Sequence, residues 1–486
     1  MPHGGVEGVV SAMSGAEKTI RRMAEDDATV LRLRAENEAY AARCGRRRRA
    51  FILTFGCQQN VADSEKLSGL CLRMGYELTE RADEADLIMV NTCAIREHAE
   101  QKALSIVGQY KHLKAKRPEL IVGVCGCMVA QEHRRDELKR SYPYVDLVFG
   151  TTVLHRFPEL LWQKISTGKR LFCEEDELER PEMVEGVPIH RDSGYRAWVS
   201  IMYGCNNFCS YCIVPYVRGR ERSRDKDEIV AEVKALVADG YRDITLLGQN
   251  VNSYNKGSAD GYDFAALVRE LDALEGDFTL RFMTSHPKDA TEALMDAMAS
   301  GKHLAHHFHL PMQSGSDAIL KKMNRHYDTA RYLSIVEGLR ARMPDITLTS
   351  DIIVGFPGET EEDFEATLDM LRRVRFDMLY SFIYSPRKGT PAAAMEDQVP
   401  DKVKNERFDR LLALQNEIAQ EKNEAMVGTM QRVLCDGVSK NNSDVYSGRT
   451  DGNKIVFFAG DERDTGRFVN VRIDRAEPFA LYGEKV

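Results

Sequence analysis

Short apolar runs alternate with amphipathic stretches along most of this 486-residue chain, and the first three runs each lead to a cysteine. AFILTF (50–55) is followed by Gly56-Cys57, DLIMV (86–90) by Asn91-Thr92-Cys93, and LIVGV (120–124) by Cys125-Gly126-Cys127. Apolar runs of this length suit parallel strands covered on both faces. Helix-like segments, such as 61–74 and 99–114, lie between them. This βαβαβ rhythm over residues 50–166 predicts an α/β domain with an open, doubly wound parallel sheet. Ligands of such sheets bind outside the carboxyl ends of the strands. Cys57, Cys93 and Cys127 fall there, one per strand end. Cys125 competes with Cys127 for the third place. Cys127 is preferred because, with Gly126, it lies past the strand, as Gly56 and Cys57 do.

The alternation resumes over residues 191–421. Candidate strands are 198–203, 243–247, 279–284, 307–310, 347–354 and 378–384. Six units are too few for a closed eight-fold barrel, which needs roughly 250 residues, so a partial (β/α)6 barrel is expected. After its first strand comes GCNNFCSYC, which places Cys205, Cys209 and Cys212 in a CxxxCxxC loop. Zinc would want a fourth ligand, and no histidine is near. Disulfides sit poorly with 11 cysteines, an odd number, and no secretory signal. Thiolates at this spacing suit an iron–sulfur cluster, ordinarily held by four. Three thiolates per cluster leave one iron open for chemistry. Cys44, Cys71, Cys125, Cys173 and Cys435 fit neither triplet and read as small buried hydrophobes.

The ends of the chain differ from its middle. Residues 1–49 read as a charged, solvated arm, disordered in part, with helical character over 24–42 and a basic end at Arg46-Arg47-Arg48-Arg49. The alternative is a phosphate-contacting tail. Residues 424–486 read as five short strands, 431–436, 444–449, 453–458, 468–474 and 479–482, and therefore as a small β-barrel. No run of about 18 apolar residues suggests a membrane span. Free cysteines suit a reducing, cytoplasmic setting. The net charge of −8 repels phosphate, so a nucleic-acid partner needs local basic patches. Arg218, Arg220, Arg222 and Arg224 in VRGRERSR supply one beside the cysteine loop, interleaved with acids that would also suit a solvated salt-bridging loop.

The cysteine loop resembles the signature of radical S-adenosylmethionine (SAM) enzymes. TFGCQQNVADSE (54–65), NTCAIREHAEQK (91–102), GCMVAQ (126–131), LLGQNVNSY (246–254), HLPMQSGS (309–316) and DIIVGFPGET (351–360) extend the likeness to the tRNA methylthiotransferases, and within them to the branch acting on N6-isopentenyladenosine. The likeness runs from about Phe51 to Tyr482, and the last segment resembles the RNA-binding TRAM domain.

The resemblance implies a fold of three parts and a specific reaction. The parts are an N-terminal domain for an auxiliary cluster (50–166), a radical SAM core (191–421) and a TRAM-like barrel (424–486). The reaction converts N6-(dimethylallyl)adenosine beside the anticodon to its 2-methylthio form. It would use two [4Fe–4S] clusters, two SAM molecules and a cluster-bound sulfur. Cys57, Cys93 and Cys127 would hold the auxiliary cluster, and Cys205, Cys209 and Cys212 the radical SAM cluster. Tyr211, Gln249, Asn250, Ser285, Gln313, Ser314 and Asp351 would face SAM. Each polar residue among them could equally be an ordinary loop or helix cap. Arg218 and Arg220 would touch substrate. Expected partners are the tRNA anticodon stem-loop, an electron donor and a sulfur source, with the chain acting as a monomer. A sister enzyme for threonylcarbamoyladenosine or a ribosomal protein is the nearest rival reading. A non-catalytic iron–sulfur RNA-binding protein is the rival from another class.

Overall fold

The computed structural model of the chain describes residues 15–94, 97–173, 184–440 and 442–486. Residues 1–14 of the extension, and Ile95 and Arg96 of the 91–102 motif, lie outside them. The chain divides into two compact units; the second takes the short segment 56–62 together with residues 191–486.

In the first unit six strands form one parallel sheet. They are β1 (Arg49–Thr54), β2 (Glu77–Leu78), β3 (Leu87–Thr92), β4 (Ile121–Gly126), β5 (Leu147–Phe149) and β6 (Leu171–Phe172), in the order β2-β1-β3-β4-β5-β6. Every residue of β3 is buried. Leu87 and Met89 belong to one core, with Leu67 and Met74; Ile88 and Val90 belong to another, with Val107 and Val124. A strand whose alternate side chains enter two separate cores is covered on both faces, which is what its unbroken apolar sequence demands.

Over residues 28–49 the extension packs by one face and is not a solvated arm. A helix spans Gly15–Cys44, and its Val30 and Leu33, only 3% and 1% exposed, join the core around Leu67 and Leu161. Asn37 donates to the Met74 carbonyl at 2.7 Å. The basic end is engaged as well. Arg46 grips Asp86 through two hydrogen bonds of 2.7 and 2.8 Å, Arg49 pairs with Glu84, and Arg48 lies over the Tyr40 ring. Arginines already spent on carboxylates are poorly placed to neutralise phosphate. Cys44 is exposed rather than buried, because it ends that helix beyond its packed face; Cys173 is half-buried, and Cys71, Cys125 and Cys435 are buried.

The second unit opens with a six-stranded partial barrel. Its strands are β7 (Arg196–Ser200), β10 (Asp243–Leu247), β11 (Thr279–Phe282), β12 (His307–His309), β13 (Thr347–Val354) and β14 (Met378–Ile383). They pair in parallel as β7-β10-β11 and β12-β13-β14, and a parallel bridge links Leu280 of β11 to Leu304, shortly before β12. The run expected as one strand over 198–203 is two. After β7 the chain leaves the barrel, and β8 (Met202–Tyr203) pairs antiparallel with β9 (Arg222–Ser223). That small ribbon brackets the loop carrying Cys205, Cys209 and Cys212.

The C-terminal strands β15 (Met430–Ser439), β16 (Asn442–Thr450), β17 (Ile455–Phe458), β18 (Phe468–Glu477) and β19 (Ala480–Lys485) close into a barrel around Val433, Val456, Phe458, Val471 and Leu481. It docks on the amino ends of the central strands. Arg196 at the start of β7 pairs with Asp436 at 2.8 Å. Arg281 donates to the Thr450 carbonyl at 3.0 Å, the His306 amide to Asp451 at 2.8 Å, and Lys454 pairs with Asp377 at 3.0 Å.

Candidate active site

The cysteine loop is short and fastened to its neighbours by backbone hydrogen bonds. Gly204 turns the chain out of β8 at φ +75°, where a Cβ would stand 2.1 Å from the Arg220 carbonyl oxygen. The next amide, of Cys205, donates to the Gly219 carbonyl at 3.1 Å, and the Cys212 amide donates to the Cys209 carbonyl at 2.9 Å. The loop is fastened on its far side too. The Ser210 amide donates to Met323 at 3.0 Å, the Ala392 amide to Ser210 at 2.9 Å, and the Asn324 side chain to the Phe208 carbonyl at 2.9 Å. Cys205 and Cys209 are buried and Cys212 half-buried.

Burial pushes the Cys205 thiol up to about 11 and the Cys212 thiol up to about 12. Both keep their protons at neutral pH until a cation displaces them. Among the described residues, no three His, Cys, Asp or Glu side chains close on a single-ion site. A four-iron cluster takes each thiolate on a different iron, so its ligands stand farther apart than those of one ion. An all-sulfur donor set in a water-poor site fits such a cluster.

The residues around the same face of the barrel have unsatisfied polar atoms. Gln249 Oε1 and Asn250 Oδ1 after β10, Ser285 Oγ after β11, and Gln313 Oε1 after β12 are each buried without a protein partner. Buried polar atoms are normally paired, so four of them at neighbouring strand ends mark a place for a polar ligand. Asn250 is held by donating from Nδ2 to Asp289 at 2.8 Å, and Asp289 also takes Lys256 at 2.6 Å and Lys288 at 2.5 Å. Gln313 sits at φ +70°, pinned when its amide donates to the Asp351 carbonyl at 2.8 Å. Asp351 is half-buried, with its carboxylate 3.6 Å from His309 Nε2. Tyr211 sets its ring edge-on to Phe356, centroids 6.5 Å apart, and burial pushes its hydroxyl well above the ordinary range.

Two sequence expectations land elsewhere. Ser314 is buried against the outer helix Glu361–Val374, 3.5 Å from the Thr367 hydroxyl, and accepts from the Ser316 amide at 3.2 Å. It serves a turn. Arg218 is buried and donates to Asn60 Oδ1 at 2.8 Å, whereas Arg220 is exposed and lies over the Phe208 ring at 4.3 Å. Phe208 in turn meets Tyr216 edge-on at 5.9 Å. Tyr216 is 51% exposed and lines an open depression of 590 Å³ with Lys388, Gly389 and Pro391. Arg224 is spent on Glu232 at 2.8 Å.

Four residues near this face escape sequence reading. Asn252 has both side-chain polar atoms unpartnered, and His286 accepts from the Lys288 amide through Nδ1 while its Nε2 is buried alone. Asp289 braces Asn250. Arg325 donates to Cys209 Sγ at 3.3 Å. Buried polar residues have no periodic signature, so only the run TSHPKD after an apolar strand could have drawn notice.

In the first unit the lone cysteines follow three adjacent strands. Thr54 of β1 stands opposite Asn91 of β3, and Thr92 opposite Gly126 of β4. Cys93 and Cys127 come directly after that last pair, and the Cys127 amide donates to the Thr92 carbonyl at 2.9 Å. Gly126 adopts φ +98°, and a Cβ there would stand 2.4 Å from the same carbonyl oxygen. Cys57 comes three residues after β1, in the segment 56–62 that belongs to the second unit.

Three family models match the chain: the Radical SAM superfamily over 199–371, Uncharacterized protein family UPF0004 over 49–150, and the TRAM domain over 424–486. A radical S-adenosylmethionine methyltransferase, TsrM, from Kitasatospora setae has a similar fold, with TM-score 0.51 and 16% identity over 79% of this chain and 78% of that one. The tRNA-2-methylthio-N(6)-dimethylallyladenosine synthase of Caldicellulosiruptor saccharolyticus is 52% identical over 93% of this chain and 95% of its own length. The synthase of the same name from Acetivibrio thermocellus is 48% identical over 96% of both. With this identity over nearly the whole length, and with the radical SAM and TRAM segments both in place, the chain belongs to the tRNA-2-methylthio-N(6)-dimethylallyladenosine synthase family.

Proposed function

We infer that this chain is a radical SAM transferase that converts N6-(dimethylallyl)adenosine next to the tRNA anticodon to its 2-methylthio derivative. The observation that carries the reading is the Cys205–Cys209–Cys212 loop, fastened at the strand-end face of a parallel barrel beside four unpartnered polar atoms. Cys205, Cys209 and Cys212 are assigned to one [4Fe–4S] cluster, and Cys57, Cys93 and Cys127 to a second. When bound, the first supplies the electron that cleaves SAM, and the second supplies the sulfur. A one-electron reductant and a sulfur source are then required partners.

The chain's own side chains do the placing. Gln249, Asn250, Ser285 and Gln313 offer hydrogen bonds at successive strand ends, where the polar groups of SAM would satisfy them. Asp289 fixes the Asn250 amide from behind. Tyr211 and Phe356 form an apolar wall beside the loop, which keeps water from the reacting atoms. Over the turnover the hydrogen on adenine C2 leaves and a methylthio group takes its place, the methyl coming from one SAM and the hydrogen-abstracting radical from another.

Nucleoside analysis of tRNA from a strain lacking the protein tests the reading. N6-(dimethylallyl)adenosine should accumulate and its 2-methylthio form vanish, with return on complementation. Unchanged levels of both nucleosides would sink it.

Substrate contact is assigned to the exposed arginine rather than the buried one. Arg220 over Phe208, with Tyr216 beside it, offers a cation and aromatic faces, which suits an unstacked base and its phosphate. Tyr216→Ala should weaken binding of the anticodon stem-loop by roughly tenfold, in line with about 1–3 kcal/mol per stacked base, and Tyr216→Trp should restore it. Arg220→Ala should lower the salt slope of binding by about one. Equilibrium binding at several salt concentrations checks both, and affinities equal to wild type would remove this surface from the RNA path.

A further inference from the structure

Arg325 is a buried cation without a carboxylate. It is 7% exposed, and each arm of its guanidinium is engaged. Nε donates to the Tyr327 hydroxyl at 3.1 Å, Nη2 to the Pro311 carbonyl at 3.0 Å, and Nη1 to Cys209 Sγ at 3.3 Å. No acidic side chain lies within ion-pair distance of it among the described residues. Two other buried arginines of this unit do have one: Arg407 pairs with Glu359 at 2.9 Å and Arg281 with Asp243 at 3.2 Å. A buried charge left uncompensated is costly, so a counter-charge is expected at Arg325 as well.

The neighbours narrow what that counter-charge is. Burial pushes the Tyr327 hydroxyl upward, so it stays neutral near pH 7. His286, edge-on to Tyr327 at 5.5 Å, is kept neutral by burial and nearby cations. Only the cysteine sulfur remains. The arrangement is also rigid, because the residues just before Arg325 are stitched to the cysteine loop. The Ser210 hydroxyl donates to the Lys322 carbonyl at 2.8 Å, its amide to Met323, and Asn324 to the Phe208 carbonyl.

We propose that Arg325 is the charge partner of the iron–sulfur cluster assigned to Cys205, Cys209 and Cys212, and that it raises the potential at which this cluster accepts its electron. The inference rests on that cluster assignment. One-electron reduction by an external donor adds a negative charge to the cluster and its thiolates. A fixed cation touching one ligand sulfur, in a site with little water, stabilises the reduced state more than the oxidised one. A hydrogen bond to the same sulfur acts in the same direction. Arg325 touches a ligand rather than the reacting atoms, so it is a positioning residue.

The test uses the full chain, reconstituted anaerobically, with Arg325→Gln and Arg325→Lys beside wild type. Iron and sulfide are counted first. A dithionite titration with mediators is then followed by electron paramagnetic resonance, with and without SAM, whose binding marks the signal of the barrel cluster. All three proteins should hold equal iron. At the wild-type midpoint, Arg325→Gln should show at least a tenfold lower ratio of reduced to oxidised barrel cluster, equivalent to 59 mV for one electron. Arg325→Lys should stay within threefold of wild type. Loss of iron in Arg325→Gln alone would also support the charge role. Arg325→Gln titrating with wild type, or both variants losing their iron, would overturn it. A wild-type chain that binds no iron at this loop would instead overturn the cluster assignment.

Discussion

Replacing Cys205, Cys209 and Cys212 together by alanine is expected to abolish reductive cleavage of SAM and to halve the iron of the reconstituted protein. The three sulfurs sit on one loop of eight residues held at both ends: Gly204 and Cys205 are fastened to the 219–220 turn, and Ser210 to Met323 and Ala392. No other cysteine lies on this loop, so no neighbour can take over the role. The loop's backbone is held by hydrogen bonds of its own, so alanine should leave the secondary structure standing, at a lower melting temperature because Arg325 loses its sulfur partner. Circular dichroism should therefore stay near wild type while 5′-deoxyadenosine falls to background. Retained SAM cleavage in this variant would remove the barrel loop from the chemistry.

Replacing Cys57, Cys93 and Cys127 is expected to give the opposite split. Iron should again halve, 5′-deoxyadenosine should still form, and 2-methylthio product should disappear. The argument rests on where the strands end. β1, β3 and β4 are neighbours in the sheet, and Cys93 and Cys127 follow residues in direct register. Cys125, two residues before Cys127, points into a core and would be a poor ligand; burial pushes its thiol far up. Cys125→Ala thus serves as the control, and it should keep full iron. Full iron in the triple variant would refute the second assignment, and lost SAM cleavage would show that the two sites do not act separately.

The middles of the strands were more legible in the sequence than the edges of the fold. Strands 243–247 and 347–354 coincide with β10 and β13, whose β-branched and apolar residues (DITLL and TLTSDIIV) suit a buried parallel strand. The 198–203 run hid a break, since Trp198 to Tyr203 is apolar apart from Ser200 while the chain leaves one sheet for another. Ile201 shows the handover, its amide donating to Leu247 and its carbonyl accepting from Arg224. In the extension, Val30 and Leu33 carried the packing signal at helical spacing, but charged neighbours diluted it. Nothing local in the sequence reveals that Ser314 lies against Thr367, 53 residues on. Arg325 was missed for the same reason: the sequence shows a charge in a polar run, and only the fold shows it buried.

The C-terminal barrel is seated on the amino ends of the central strands, while the cysteine loop opens beyond their carboxyl ends. Central strands of five residues span about 17 Å at roughly 3.3 Å per residue. A substrate gripped by one end and modified at the other must bridge at least that span. If the C-terminal barrel grips RNA, that spacing would act as a yardstick. A free nucleoside or a trimmed loop would reach one station but not both, and an RNA with an arm of sufficient length would collect the full binding energy. Discrimination of a folded tRNA from the cell's stray adenosines would follow from the distance between two docking points, independent of any contact to the base itself.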